Sequence, residues 1–344
     1  MDVIVTAGGI PRPEEPLFPA TQGRPKAMVD IAGKPMVQWL LDALSAARSV
    51  DNIIVVGLTE KSGLKCTKKI YYVPNQGKMV ENLQAGADKV LEINKKAKHV
   101  LLASSDIPGI SPEMVDWLVG VASQTDEDIY YTVIPRPVME KRYPGSKRTF
   151  TKLKDMEVCG GDLNVARLTF LLGGNKPVWD KITDARKSPL KQAALVGFDT
   201  AALLLIGQLT LARAVENITT RLHVSGRAIV SPYAEIGMDV DKPHQLEMMR
   251  ADMQKRVRKA NAPATTSSPK GTSSPKGTSS PKGKKAPAAG KRTAAKKTAA
   301  AGRKAASKSA ATSSPKRTSS PKGKKPALKK PVKASPKGKK TARK

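Results

Sequence analysis

Short apolar runs alternate with longer stretches of helical periodicity along the first 250 or so residues. Val3–Thr6, Asn52–Gly57, Ile70–Val73, Val100–Ser104 and Ile129–Pro135 read as strands, and Val100–Ser104 is apolar enough to be buried on both faces. Met36–Ala47, Lys78–Ile93 and Pro112–Ser123 carry helical spacing between them. Residues 175–222 look helical, with an apolar stripe through Leu195, Leu203, Leu204, Ile206, Leu209 and Leu211. Within that stretch Ala201–Ala212 reads as a buried helix, and at about twelve residues it is too short to cross a bilayer. Arg227–Val230 and Ala234–Val240 read as a final strand pair or one bent strand. This βαβα order predicts an α/β fold, a Rossmann-like, mostly parallel sheet with helices on both faces. Ligands of such sheets bind beyond the carboxyl ends of the strands, where Gly8-Gly9 and Asp106 both fall.

Charge divides the chain. The 344 residues carry a formal +32, but from Lys259 onwards there are 26 Lys and Arg and no Asp or Glu, which leaves residues 1–258 near +6. Residues 1–258 are long enough for one α/β domain with a sizeable core. Residues 259–344 have no aromatic side chain and too few large apolar ones for a core, so their composition predicts disorder. Ser-Ser-Pro-Lys recurs there from Ser267, Ser273, Ser279, Ser313 and Ser319, with Gly-Thr between the first three and an Ala-Ala-Lys-Lys-containing stretch before the last two. The tail resembles those of linker histones and bacterial histone-like proteins. That likeness implies sequence-independent, salt-sensitive contact with nucleic acid; a merely solubilising polycation is the alternative. Cys66 and Cys159 form no metal or disulfide pattern, and no signal peptide or membrane span is evident. A cytoplasmic location is expected, with nucleoid association through the tail left open.

The first 41 residues hold the densest chemistry. Val3-Ile4-Val5 empties into Ala7-Gly8-Gly9, where the backbone can approach a ligand closely. Leu17-Phe18-Pro19-Ala20-Thr21 follows, then Arg24-Pro25-Lys26 and Gly33-Lys34-Pro35-Met36. In this order the block resembles the opening of the MobA-like and sugar-phosphate nucleotidyltransferases, which have a GT-A-like fold. The likeness implies that Ala7, Gly8, Gly9 and Lys26 bind a nucleotide, with Lys26 on the triphosphate and Arg24 as a second cation. The family places an arginine directly before its L-x-P, but here that position is Pro16; Arg12 is the nearest candidate for the role. Asn75 and Gly77 lie where relatives read the base, and a simple turn explains them equally well.

Two carboxylates continue the resemblance. Ser104-Ser105-Asp106-Ile107-Pro108 matches a motif whose aspartate binds metal, with helix capping as the other reading of Asp106. Met238-Asp239-Val240-Asp241-Lys242-Pro243 resembles the closing motif of MobA-like and CMP-sugar synthetase domains, which implies Asp241 as the second metal ligand; a plain helix cap is again the alternative. His244 and Gln245 replace acidic residues there, which should weaken the helix start. Gly160-Gly161-Asp162-Leu163-Asn164 resembles the acceptor-side loop, with Asp162 and Asn164 as acceptor-binding candidates, or is an ordinary turn between strands. The expected activity is a magnesium-dependent transfer of an NMP unit from an NTP to a small phosphorylated or acidic acceptor. Two alternatives stand beside it: a catalytically degenerate nucleotide-binding domain, and an architectural nucleic-acid-binding protein.

Overall fold

The computed structural model describes residues 1–172 and 197–261. By compactness the chain divides into Met1–Ser268 and Pro269–Lys344. The tail beyond Asn261, Leu195 and the first part of the expected 175–222 helical region lie outside the described residues.

The elements follow in order. β1 is Val3–Thr6, α1 a single turn at Phe18–Thr21, and β2 (Asp30–Ile31) and β3 (Lys34–Pro35) form a small hairpin before α2 (Met36–Ala46). Next come β4 (Ile53–Val56), β5 (Ile70–Val73), α3 (Met79–Ile93), β6 (His99–Ser104), α4 (Pro112–Ala122), β7 (Ile129–Pro135) and α5 (Arg136–Arg142). β8 (Thr151–Lys152), β9 (Glu157–Gly160), β10 (Leu163–Arg167) and α6 (Leu168–Leu172) complete the first described stretch. The second holds α7 (Phe198–Leu205), α8 (Leu211–Leu222), β11 (Gly226–Val230) and α9 (Pro243–Asn261), so α9 continues past residue 258.

The main sheet runs β5-β4-β1-β6-β10-β7-β9-β8, with β11 parallel to β7. β5, β4, β1 and β6 are parallel; β10 runs against both β6 and β7. The sheet is therefore mixed and mostly parallel. Alternation along β1 explains its two covered faces: Val3 and Val5 join the core beneath α2 and α4, while Ile4 joins the core beneath α3. Every residue of β4 is buried, as a strand covered on both sides requires. Gly86 lets α3 close down on β1, because a Cβ there would lie 2.7 Å from the Ile4 side chain.

Two expectations are corrected. Ala201–Ala212 is not one buried helix. α7 stops at Leu205, Gly207 takes a left-handed φ of 66°, and its N–H and that of Gln208 bond back to Leu204 and Leu203. This is a glycine-terminated helix end. Leu205 and Ile206 are exposed, while Leu203 and Leu209 turn into a minor core with Val133 and Val158. Likewise Ala234–Val240 is no strand: Ala234–Gly237 is a 3-10 turn, and β11 alone joins the sheet.

Where β1 and β4 end, Gly8 and Gly57 touch through their backbones. A Cβ on Gly57 would lie 2.2 Å from the Gly8 Cα, and Gly57 has φ of 101°. Gly57→Ala is expected to destabilise the protein by about 3 kcal/mol, because it adds a backbone clash to a strained φ. Urea unfolding of the full chain measures it; a loss below about 1 kcal/mol would mean that the two loops part easily.

Candidate active site

The loop after β1 is folded by its own backbone. Ala7 extends the pairing with β4 through a 2.8 Å N–H bond to Val56, and Lys26 N–H donates to the Gly9 carbonyl at 2.8 Å. The second bond returns the chain to the strand end and aims Lys26 across it. Gly9 has open space where a Cβ would sit, whereas Gly8 is packed against Gly57 and Asn75. Leu17 is buried and anchors the loop between them. A cavity of about 460 Å³ opens here, lined by Gly9, Ile10, Pro11, Glu15, Pro16, Leu17, Lys26 and Asp241. That is within the usual range for a small-molecule site.

Three carboxylates converge beside this cavity, each from a different part of the chain. Asp106 follows β6, Asp162 sits in the turn between β9 and β10, and Asp241 precedes α9. Backbone bonds lace these segments together. Ser105 N–H donates to Thr6, Ser104 N–H to Asp162, Asp162 N–H to Ile236, and Val240 N–H to Asp106. An ion-pair network holds the last segment from behind. Arg142 of α5 reaches Glu235 at 2.8 Å and Asp252 at 2.7 Å, and Arg256 donates to the Gly109 carbonyl at 2.9 Å.

Lys26 is the cation of the cluster. Its Nζ lies 2.5 Å from Asp106 Oδ2 and 2.7 Å from Asp241 Oδ1. Burial alone would lower its pKa, but the two carboxylates outweigh that and raise it, so the ammonium keeps its proton. Asp162 responds in the opposite way. Burial first, then the charges of Asp106 and Asp241, push its carboxyl from 3.8 up to about 7, against the pull of Arg148 and Lys26. Asp162 is thus partly protonated near neutral pH.

Neither proposed metal ligand is spent on capping. Ser111 precedes α4, and Asp106 faces Lys26. At α9, Gln245 replaces a cap: its buried Oε1 accepts the N–H groups of Asp241 and Lys242, both at 2.9 Å. The expected weakening of this helix start is offset by one of the residues held to cause it, and the Asp241 carboxylate is left free for Lys26. Asp106 Oδ1 is buried and receives no hydrogen bond. A hard cation would satisfy that oxygen, and magnesium asks for only one or two carboxylates beside water and phosphate oxygens. The donor set fits magnesium. Among the described residues no group of three or more His, Cys, Asp or Glu side chains is poised to hold a metal unaided.

The other candidates fall around this centre. Asn75 is a strut: its Nδ2 donates to Gly8 at 3.1 Å, and its Oδ1 accepts from Gly77 and Asn82. Gly77 supplies the left-handed φ, 91°, that this turn needs. Arg12 is exposed and pairs with Glu15 at 3.0 Å and Glu14 at 3.3 Å. Arg24 is exposed and donates to the Thr21 carbonyl. Asn164 lies on β10 and is engaged there, accepting from Thr132 of β7 and donating to the Gly161 carbonyl. Of the acceptor-side pair, only Asp162 joins the carboxylate cluster. No motif in the sequence singles out Arg148. It forms an ion pair with the buried Asp239, two residues before Asp241, and so steadies that loop. Nothing in the spacing of Arg148 and Asp239 signals the pairing.

The model of the MobA-like NTP transferase domain matches residues 4–169, the part that contains β1, Lys26, Asp106 and Asp162. A hypothetical transferase from Thermus thermophilus is similar at 32% identity, over 71% of this chain and 98% of that one, with a TM-score of 0.63. The chain belongs to the MobA-like NTP transferase family. It is thereby an enzyme of nucleotidyltransferase type. CMP:2-keto-3-deoxy-manno-octonic acid synthetase complexed with CTP (16% identity, 74% of this chain and 99% of that one, TM-score 0.45) is more distant. So is molybdopterin-guanine dinucleotide biosynthesis protein A from Archaeoglobus fulgidus (14%, 74% and 100%, 0.39). At those scores neither adds to the case. Curated protein sequences give no significant match. Among the described residues of this family member, no helix is long and apolar enough to cross a membrane.

The Asp162 environment has a consequence for stability. A carboxyl that ionises near 3.8 when unfolded but near 7 when folded binds its proton more tightly in the folded state. Its contribution is fully present below about pH 4 and is lost as pH rises to about 7. In metal-free buffer, Asp162→Asn should therefore flatten the stability profile between those limits and leave the protein more stable than wild type at pH 7.5. Urea midpoints across pH 4–8 measure this; parallel profiles for the two proteins would refute it.

Proposed function

We propose that this domain moves an NMP unit from an NTP to a small phosphorylated or otherwise acidic acceptor, releasing pyrophosphate, and that it works with magnesium. The observation that carries the reading is the Lys26–Asp106–Asp241 cluster beside the cavity at the carboxyl ends of β1 and β6. An acceptor oxygen attacks the α-phosphorus, the bond to the α–β bridging oxygen breaks, and its electron pair leaves with pyrophosphate. A phosphate or carboxylate acceptor is already ionised and has no proton to give up. The protein therefore needs position and charge more than a strong base.

Each residue then has a task that suits its place. The open backbone at Gly9 lets the triphosphate approach, and the Lys26 ammonium meets its oxygens. Asp106 and Asp241 would hold magnesium, which when bound supplies positive charge against the phosphates. Asp162, in the turn that resembles the acceptor-side loop, would contact the acceptor beside the two metal-holding carboxylates. Either Arg12 leaves Glu14 and Glu15 for the phosphates or the role of the missing family arginine is lost, and the second case is the alternative of a nucleotide-binding domain with reduced turnover.

The expected signature is pyrophosphate release from one of the four NTPs with a panel of sugar 1-phosphates. Asp106→Asn and Asp241→Asn should each lower turnover about 100-fold while circular dichroism stays unchanged, since charge is lost and packing is not. Lys26→Ala should weaken triphosphate binding as well as turnover. Normal rates in either aspartate variant would remove that residue from the site. NTP binding with no turnover on any acceptor would favour the degenerate alternative.

The basic tail is proposed to tether this chemistry to nucleic acid without reading sequence. A chain shortened after Ser268 loses nearly all of the tail's positive charge and keeps every site residue. It should lose most of its affinity for unrelated DNA duplexes and retain NTP binding. Binding by the full chain should fall steeply with salt. Strong duplex binding by the shortened chain would move the contact into the folded domain.

A further inference from the structure

We infer that Lys26 is the resident counter-ion of the metal site, so that it opposes metal entry until a triphosphate arrives to receive the ammonium. The inference rests on the assignment of Asp106 and Asp241 as metal ligands. Its basis is where the ammonium sits. Lys26 Nζ contacts Asp106 Oδ2 at 2.5 Å and Asp241 Oδ1 at 2.7 Å, and thus occupies the two carboxylates that would hold a divalent cation. The Asp106 carboxyl is nearly buried, so it cannot stand uncompensated. Lys26 provides that compensation in the absence of metal.

A divalent cation that arrives alone must displace the ammonium from both carboxylates, and the cavity walls offer it poor replacements. Ile10, Pro11, Pro16 and Leu17 line the cavity with apolar surface. Glu15 is the other acidic residue lining it, and it already carries Arg12. The Gly9 carbonyl is bound to the backbone N–H of Lys26 itself. Leaving an ammonium unpaired in such a place is costly. A triphosphate changes this: its oxygens in the cavity receive the ammonium, and the two carboxylates become available. Metal and triphosphate then raise one another's affinity, as linkage requires. The same residue therefore guards the empty site and grips the loaded one.

The test reads metal binding and needs no turnover. Mn²⁺ binding by the full chain, without nucleotide, is measured by electron paramagnetic resonance for the wild type and for Lys26→Met, Lys26→Gln and Lys26→Arg. The basic tail is common to all of them and cancels. Lys26→Met and Lys26→Gln should bind Mn²⁺ at least ten-fold more tightly than wild type. Lys26→Arg, which keeps a cation there, should not. Both neutral variants should also melt at lower temperature in chelator and recover with Mn²⁺; two such variants guard against one failing to fold. Adding Asp106→Asn to Lys26→Met should abolish the gain. If neither neutral variant binds Mn²⁺ more tightly than wild type, the counter-ion role is overturned, while the metal assignment still stands or falls by pyrophosphate release. If the gain survives Asp106→Asn, the metal lies elsewhere and both readings fall.

Discussion

Four aspartates gathered at one edge of a sheet impose the main constraint on this structure. Asp106, Asp162, Asp239 and Asp241 come from three separate segments, and all but Asp241 are substantially buried. Like charges in such a place must be paired, protonated or exposed, or the fold would not hold. The protein uses all three solutions. Lys26 bridges Asp106 and Asp241, Arg148 pairs with Asp239, burial and the neighbouring carboxylates raise the pKa of Asp162 to about 7, and the Asp241 side chain remains 55% exposed.

The rest of the architecture serves to hold those segments in register. A parallel core of four strands, apolar on both faces, ends in loops that have nowhere to go but over its carboxyl edge. Gly8 and Gly57 let two of these loops lie in backbone contact, and Asn75 pins the third to them. β10, inserted antiparallel between β6 and β7, brings the turn with Asp162 next to Asp106. The Arg142–Glu235–Asp252 pairs then moor α9 so that Asp241 closes the ring. Charge is concentrated where the ligand would bind, as expected of a working site.

Membership in the MobA-like NTP transferase family gives this arrangement a chemical meaning that geometry alone would leave open. A two-carboxylate, one-lysine centre suits phosphoryl chemistry in general. The glycine turn and the lysine loop, matched in order, narrow it to nucleotidyl transfer. The departures are as informative as the matches. Gln245 replaces an acidic residue yet caps α9 through its side-chain oxygen, and Arg12 is bound by the glutamates of its own insertion.

The sequence by itself determined the strands β1, β4, β5, β6 and β7, the helices α2, α3 and α4, and the glycine–lysine–aspartate order along the chain. Such features are local: apolar periodicity and short motifs act over a few residues, and neighbours in sequence suffice to reveal them. It misjudged Ala201–Ala212 because apolarity alone does not show that Gly207 ends a helix and leaves Leu205 in solvent. Ala234–Val240 has strand-like composition, yet the backbone of Ile236 is taken by Asp162 in place of a ladder. Only the tertiary structure decided that Lys26 lies between Asp106 and Asp241, that Arg148 finds Asp239, and that Asp162 joins the cluster while Asn164 does not. Those outcomes depend on charges brought together from far apart in sequence. Their energies come from burial and distance, which do not exist until the chain has folded.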